Sequence, residues 1–76
     1  MVNNKKVHQA IGVRIRELRI QAGYTSYENF AFEHDLSARY YWGVEKGRNI
    51  SLKYLLNVLE ILQVDFKEFV ESLSFD

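Results

Sequence analysis

Residues 26–48 read SYENFAFEHDLSARYYWGVEKGR, and this stretch decides the fold. It opens on a helix start: Thr25 and Ser26 both offer a capping hydroxyl, and Thr25 with Glu28 has the spacing of a capping box. The helix that follows, over about 27–34, is short and turns Phe30 and Ala31 inward. Asp35-Leu36-Ser37 is then a three-residue turn with one apolar anchor, Leu36. Ser37 can cap a further helix over about 38–46. Gly47 terminates it, because a left-handed residue after the last turn costs glycine little. Toward the N-terminus, Val7, Ile11, Ile15, Leu18 and Ala22 recur at helical spacing and predict an amphipathic helix over about 7–22, closed by Gly23. Toward the C-terminus, Arg48-Asn49-Ile50-Ser51 is a polar loop whose last residue can cap a helix over about 52–62. Leu52, Leu55, Leu56, Leu59 and Leu62 mark that helix, and Val58 and Ile61 broaden its stripe into a central core element. Asp65 and Glu68 repeat the capping-box spacing before Phe66, Phe69, Val70 and Leu73, which predict a last helix over about 66–73. No segment alternates with period two, so the expected class is all-α: five short helices and tight turns. Residues 1–6 are expected to form a flexible N-terminal arm, and residues 7–76 a single domain.

The chain has 76 residues, 47% of them hydrophobic, which suffices for one core and not for two. It has no cysteine, so disulfides, thiolate metal sites and thiol nucleophiles are excluded together. His8 and His34 are too few and too far apart in sequence to suggest a metal site, and no nucleophile motif or glycine-rich phosphate loop occurs. Glu28, Glu33 and Asp35 read as a cap, a solvated face and a turn residue rather than as catalytic carboxylates. No enzyme activity, cofactor or metal is expected. No stretch has the pattern of a signal peptide or the length of a membrane span, and the expected location is the cytoplasm. Ten Lys and Arg balance ten Asp and Glu, which at first sight argues against a nucleic-acid partner. The charges are unevenly placed. Residues 1–48 carry eight basic and five acidic side chains, a net +3; residues 49–76 carry two and five, a net −3. The half that contains the decisive stretch is the basic one.

Two short helices joined by such a turn form a helix-turn-helix, in which the first helix braces on the phosphate backbone and the second enters the major groove. On the second of them Leu36, Tyr41 and Val44 fall inward, with Tyr40 beside them, and Ala38, Arg39, Trp42 and Gly43 fall outward. Arg39 stands at the helix start, where side chains reach base edges, and can bond both acceptors of a guanine; Ala38 can touch a thymine methyl. Trp42 has two readings: contact with a thymine methyl or sugar, or folding down over the preceding helix near Phe32. Gly43 also has two: close backbone approach to DNA, or a glycine tolerated beside bulky neighbours.

The pattern from Ile11 to Phe69 resembles the λ-repressor/Cro-like helix-turn-helix family, also called the XRE family. The matching residues are Ile15-Arg16-Glu17-Leu18-Arg19, Gly23, Glu28-Asn29-Phe30-Ala31, Leu36-Ser37, Tyr40-Tyr41, Val44-Glu45-Lys46-Gly47, Leu52-Lys53-Tyr54-Leu55-Leu56 and Leu62-Gln63-Val64. They cover about three quarters of the chain, and their order and spacing are specific. The resemblance implies a five-helix λ-repressor-like domain and a structural ion pair between Arg19 and Glu45, linking the first and third helices. It further implies phosphate contacts from Ser26, Tyr27, Lys46, Arg48 and Asn49, with Lys53 nearby. Tyr27 stands where family members often carry glutamine, and Gly43 where a polar side chain often reads a base.

The expected function is therefore that of a sequence-specific, repressor-like transcriptional regulator, with its third helix in the major groove of double-stranded DNA. The C-terminal aromatic and aliphatic residues exceed what one face of a two-turn helix buries. Phe66 and Phe69 are expected inward, and Phe69, Leu73 and Phe75 to contribute to a homodimer contact spanning a palindromic operator. The alternative is a protein-interaction module of the same fold, an antitoxin-like partner whose aromatic C-terminus or Trp42 surface binds protein and whose DNA affinity is weak or absent.

Overall fold

A computed structural model describes residues 3–75 and contains five α-helices: α1 Asn4–Gln21, α2 Tyr27–Glu33, α3 Ala38–Glu45, α4 Leu52–Leu62 and α5 Phe66–Glu71. Each start is explained by its cap. The side chains of Asn3, Ser26, Ser37, Ser51 and Asp65 accept hydrogen bonds from the backbone N–H groups of Lys6, Asn29, Tyr40, Tyr54 and Glu68. α1 thus begins three residues before the expected position. Lys5 and Lys6 belong to its first turn rather than to an arm; Met1 and Val2 lie outside the described residues. At α2 it is Ser26, not Thr25, that caps, so the Thr25–Glu28 box does not form.

Gly23 and Gly47 follow α1 and α3 with φ of 100° and 96°, as the helix-stop reading requires. Two further turns use left-handed residues without glycine: Asp35 between α2 and α3, and Gln63 after α4, both at φ 60°. Gln63 donates its N–H to the Glu60 carbonyl and Val64 donates to that of Leu59, which closes the last turn of α4.

The core is built from Ile15, Phe30, Ala31, Tyr41, Val44, Leu55, Val58, Leu59 and Phe69. α3 sits at its centre of contact, packed on both α1 and α2. The buried face of α4 is rotated from the expected leucine stripe. Leu55, Val58 and Leu59 face in, while Leu52 and Leu56 are exposed. Apolar residues at 52, 55, 56, 58, 59, 61 and 62 surround most of this helix, so periodicity left its facing open, and Val58 is the residue fully buried. On α5, Phe69 is 1% exposed and serves the core, whereas Phe66 is 44% exposed, not inward. Phe69 is therefore unavailable for a partner chain. Leu73 is half-buried against the core, and Phe75 stays exposed.

Gly12 explains how α1 and α3 come so close. It shares a stripe with Ile15 and Arg19, and all three are buried. A β-carbon at Gly12 would stand 2.5 Å from the Val44 carbonyl oxygen and 2.7 Å from that of Glu45. Only a residue without Cβ lets the backbone of α3's last turn lie on α1.

Candidate nucleic-acid interface

The orientation of α3 is held by one buried ion pair. Arg19 Nε donates to Glu45 Oε2 at 2.7 Å and Nη2 donates to Oε1 at 3.2 Å, a two-pronged contact between α1 and the last residue of α3. Arg19 Nη1 also donates to the Tyr24 carbonyl at 2.6 Å, so the same guanidinium ties down the α1–α2 loop. The hydrogen bond to Glu45 raises the Arg19 pKa against the opposing effect of burial, and the charge is secure at any ordinary pH. The pair that the family resemblance implied is thus present. It acts on the position of α3, since neither side chain reaches the surface.

The outward face of α3 lies opposite Tyr41 and Val44 and carries Arg39, Trp42, Gly43 and Lys46. Arg39 is exposed, with no ion-pair partner among the described residues. Ala38 is only half exposed and packs against the core, which limits what it can touch outside. Trp42 does fold over the preceding helix, though on Tyr27 and not on Phe32: the two rings stack with centroids 4.3 Å apart and planes at 24°. Trp42 keeps 37% of its surface exposed, and Lys46 Nζ sits 4.4 Å from its ring centroid. Phe32 points away into solvent, 85% exposed. The first turn of α2 and the middle of α3 are therefore joined by an aromatic stack that sequence reading left undecided.

Gly43 is not empty space. Arg48, from the loop after α3, folds back across it: a β-carbon there would lie 2.8 Å from Arg48 Cδ and 3.2 Å from Nη1. The Arg48 guanidinium carbon rests 4.7 Å from the Tyr40 ring centroid. Neither contact is visible in the sequence, where Arg48 reads as a loop cation. Asn49 and Lys53 are exposed on the same loop and at the start of α4, and Ser26 is spent as the α2 cap.

Beside this face a groove of about 780 Å³ runs between α1, the end of α3 and the C-terminal segment, lined by Lys6, Val13, Arg16, Trp42, Lys46 and Phe75 among others. Among its described lining residues Lys6, Arg16 and Lys46 are cationic, and the one acidic residue, Glu45, is already bound to Arg19. Among the described residues no cluster of His, Asp and Glu could hold a metal ion, and no helix is long and apolar enough to cross a membrane.

The comparisons with known proteins agree with this geometry. The control protein C.BamHI of Bacillus amyloliquefaciens is 32% identical over 72 residues, spanning 93% of this chain and 86% of that protein. The crystal structure of C.AhdI, a restriction-modification controller protein from Aeromonas hydrophila, matches with a TM-score of 0.72 at 38% identity, over 83% of this chain and 96% of the other. No family model matches the chain. With a third helix braced by a buried ion pair, an exposed basic face upon it, and relatives that align along nearly the whole length, the chain belongs to the controller proteins, XRE-type helix-turn-helix regulators and not enzymes.

Proposed function

We propose that the chain is a cytoplasmic, sequence-specific DNA-binding transcriptional regulator that controls restriction-modification genes, as its relatives' names imply for them. The observation that carries this is the exposed Arg39–Lys46 face on a helix whose angle is set by the Arg19–Glu45 pair. α3 lies in the major groove, where Arg39 reads a guanine and the ring of Trp42 lines the groove wall. Lys46, Asn49, Lys53 and the hydroxyl of Tyr27 meet phosphates. With only +3 on the reading half, non-specific affinity is modest and salt-sensitive.

The regulator acts as a homodimer on a palindromic operator. Its contact surface is drawn from residues left exposed on α4 and α5: Leu52 and Leu56 four apart, and Phe66 and Val70 four apart, with Phe75 beyond. This replaces Phe69 in the expected contact. A salt titration of binding to duplex DNA tests the reading directly. Binding should fall steeply as salt rises, and Arg39→Ala should relax preference at one base pair while Lys46→Ala weakens all sequences alike. Absence of duplex binding at low salt would leave the protein-interaction module, with the groove beside Trp42 as its surface. Sedimentation of wild type against Leu56→Glu tests the dimer; a monomer at high wild-type concentration, with and without DNA, removes it.

A further inference from the structure

We propose that Arg48 belongs to the base-reading face of α3, and that Gly43 and Tyr40 form the seat that puts it there. The proposal rests on the groove-bound α3 of the preceding section and reassigns Arg48 from the phosphate rim. Three contacts carry it. The Arg48 N–H donates to the Gly43 carbonyl at 2.9 Å, which fixes where the side chain leaves the backbone. Its stem then runs back over Gly43, so close that a β-carbon would stand 2.8 Å from Cδ. Its guanidinium ends over the Tyr40 ring, 4.7 Å from the centroid.

The direction of this path is what matters. Gly43 is four residues after Arg39 and shares its face, and Tyr40 adjoins Arg39 in the first turn of the helix. A side chain that begins beyond the C-terminus of α3 therefore presents its charge beside the residue best placed to read a base. A guanidinium held over an aromatic ring spends none of its N–H donors on that contact, and those donors match the paired acceptors of guanine. The seat also accounts for a glycine inside a helix: any side chain at position 43 would take the room that the Arg48 stem uses. Position 43 thus sets specificity without touching a base, by admitting a reader from outside the helix.

The experiment is selection of bound duplexes from a pool with randomised positions, using wild type, Arg39→Ala, Arg48→Ala, Arg48→Lys and Gly43→Ala. Helix content of each is checked by circular dichroism. Wild type should prefer guanine at a base pair other than the one lost in Arg39→Ala. Arg48→Ala should lose that second preference by roughly 5- to 100-fold and keep the rest. Arg48→Lys, which retains charge without the two-pronged edge, should not restore it. Gly43→Ala, folded and still carrying Arg48, should relax the same base pair. If Arg48→Ala weakens every sequence equally, with an unchanged preference and a salt slope lower by about one, Arg48 is a phosphate contact and the proposal falls while the DNA-reading function stands. A Gly43→Ala protein with wild-type preference overturns the seat. If wild type retains no duplex, the DNA-reading function fails and takes the proposal with it.

Discussion

Gly12→Ala adds one methyl group at the tightest approach between α1 and α3. Its β-carbon would lie 2.5 Å from the Val44 carbonyl oxygen, 2.7 Å from the Glu45 oxygen and 2.9 Å from the Glu45 carbonyl carbon. Real β-carbons essentially never come within 3.0 Å of such atoms, so the two helices must separate by about 0.5 Å, the difference between 3.0 and 2.5 Å. All three obstructing atoms are backbone and cannot rotate aside. The separation also strains the 2.7 Å contact between Arg19 and Glu45, which spans the same two helices. Overpacking of this kind costs ~1–3 kcal/mol, and rigid backbone neighbours place it near the upper end. Alanine in place of a helical glycine returns ~0.5–1 kcal/mol. The net loss is about 2 kcal/mol, which in a domain of this size lowers the melting temperature by roughly 8–16 °C. Gly43→Ala is the matched control. The atoms it meets belong to the flexible Arg48 side chain, which can swing away, so the propensity gain remains and stability should hold or rise by up to ~1 kcal/mol. Thermal melts followed by circular dichroism read both. A Gly12→Ala protein that melts with wild type or above it would refute the close packing of α1 on α3.

Three further outcomes are expected. Removing Glu45 as Glu45→Ala leaves a buried guanidinium uncompensated and should cost ~3–5 kcal/mol, while the double change Arg19→Leu with Glu45→Leu should cost less than the sum of the two single changes; a denaturant double-mutant cycle measures this, and additivity would contradict it. Burial pushes the Tyr54 phenol up from 10.0 to about 12, and Tyr41 higher still. Each native tyrosine then holds its proton where the unfolded chain has released it, so stability is full below about pH 10 and declines as pH rises toward 12; melts taken across that range, with phenolate absorbance, should show unfolding and ionisation together. Finally, Phe30→Ala should cost ~3–5 kcal/mol and Phe32→Ala no more than ~0.5 kcal/mol, although the two differ by only one intervening residue; equal losses in urea titrations would contradict their 0% and 85% exposures.

Helix starts and stops were the most legible part of the chain, because they are written in local chemistry. Ser37, Ser51, Asp65, Gly23 and Gly47 each act where side-chain type alone places them. The turn ahead of α3 and the pair Arg19–Glu45 were also legible, the latter only through the family pattern. What failed depends on geometry between elements. Leu52 and Leu56 satisfied helical periodicity as well as Val58 did, and the choice between faces was made by how α4 docks into the common core. Phe66 and Phe69 are three apart, and which of them enters the core depends on how α5 docks. Asn3 was a missed local signal: an asparagine with a helix-compatible run behind it, within the stretch expected to be a flexible arm. Gly12 carried a readable sign, a glycine on the inward stripe with Ile15 and Arg19. By contrast, the return of Arg48 over Gly43 and the stacking of Trp42 on Tyr27 arise from distances across a turn and could not be read from spacing.

The stack of Trp42 on Tyr27 has a practical side. Trp42 is the sole tryptophan of the chain, partly uncovered, with an ammonium group 4.4 Å from its ring centre. The indole emission of this protein thus comes from one spot on the outer side of α3 and from nowhere else. Any duplex that draws Lys46 toward a phosphate, or that dries the ring, alters the colour and yield of that emission without a label. The protein carries its own optical gauge on the face proposed to meet DNA.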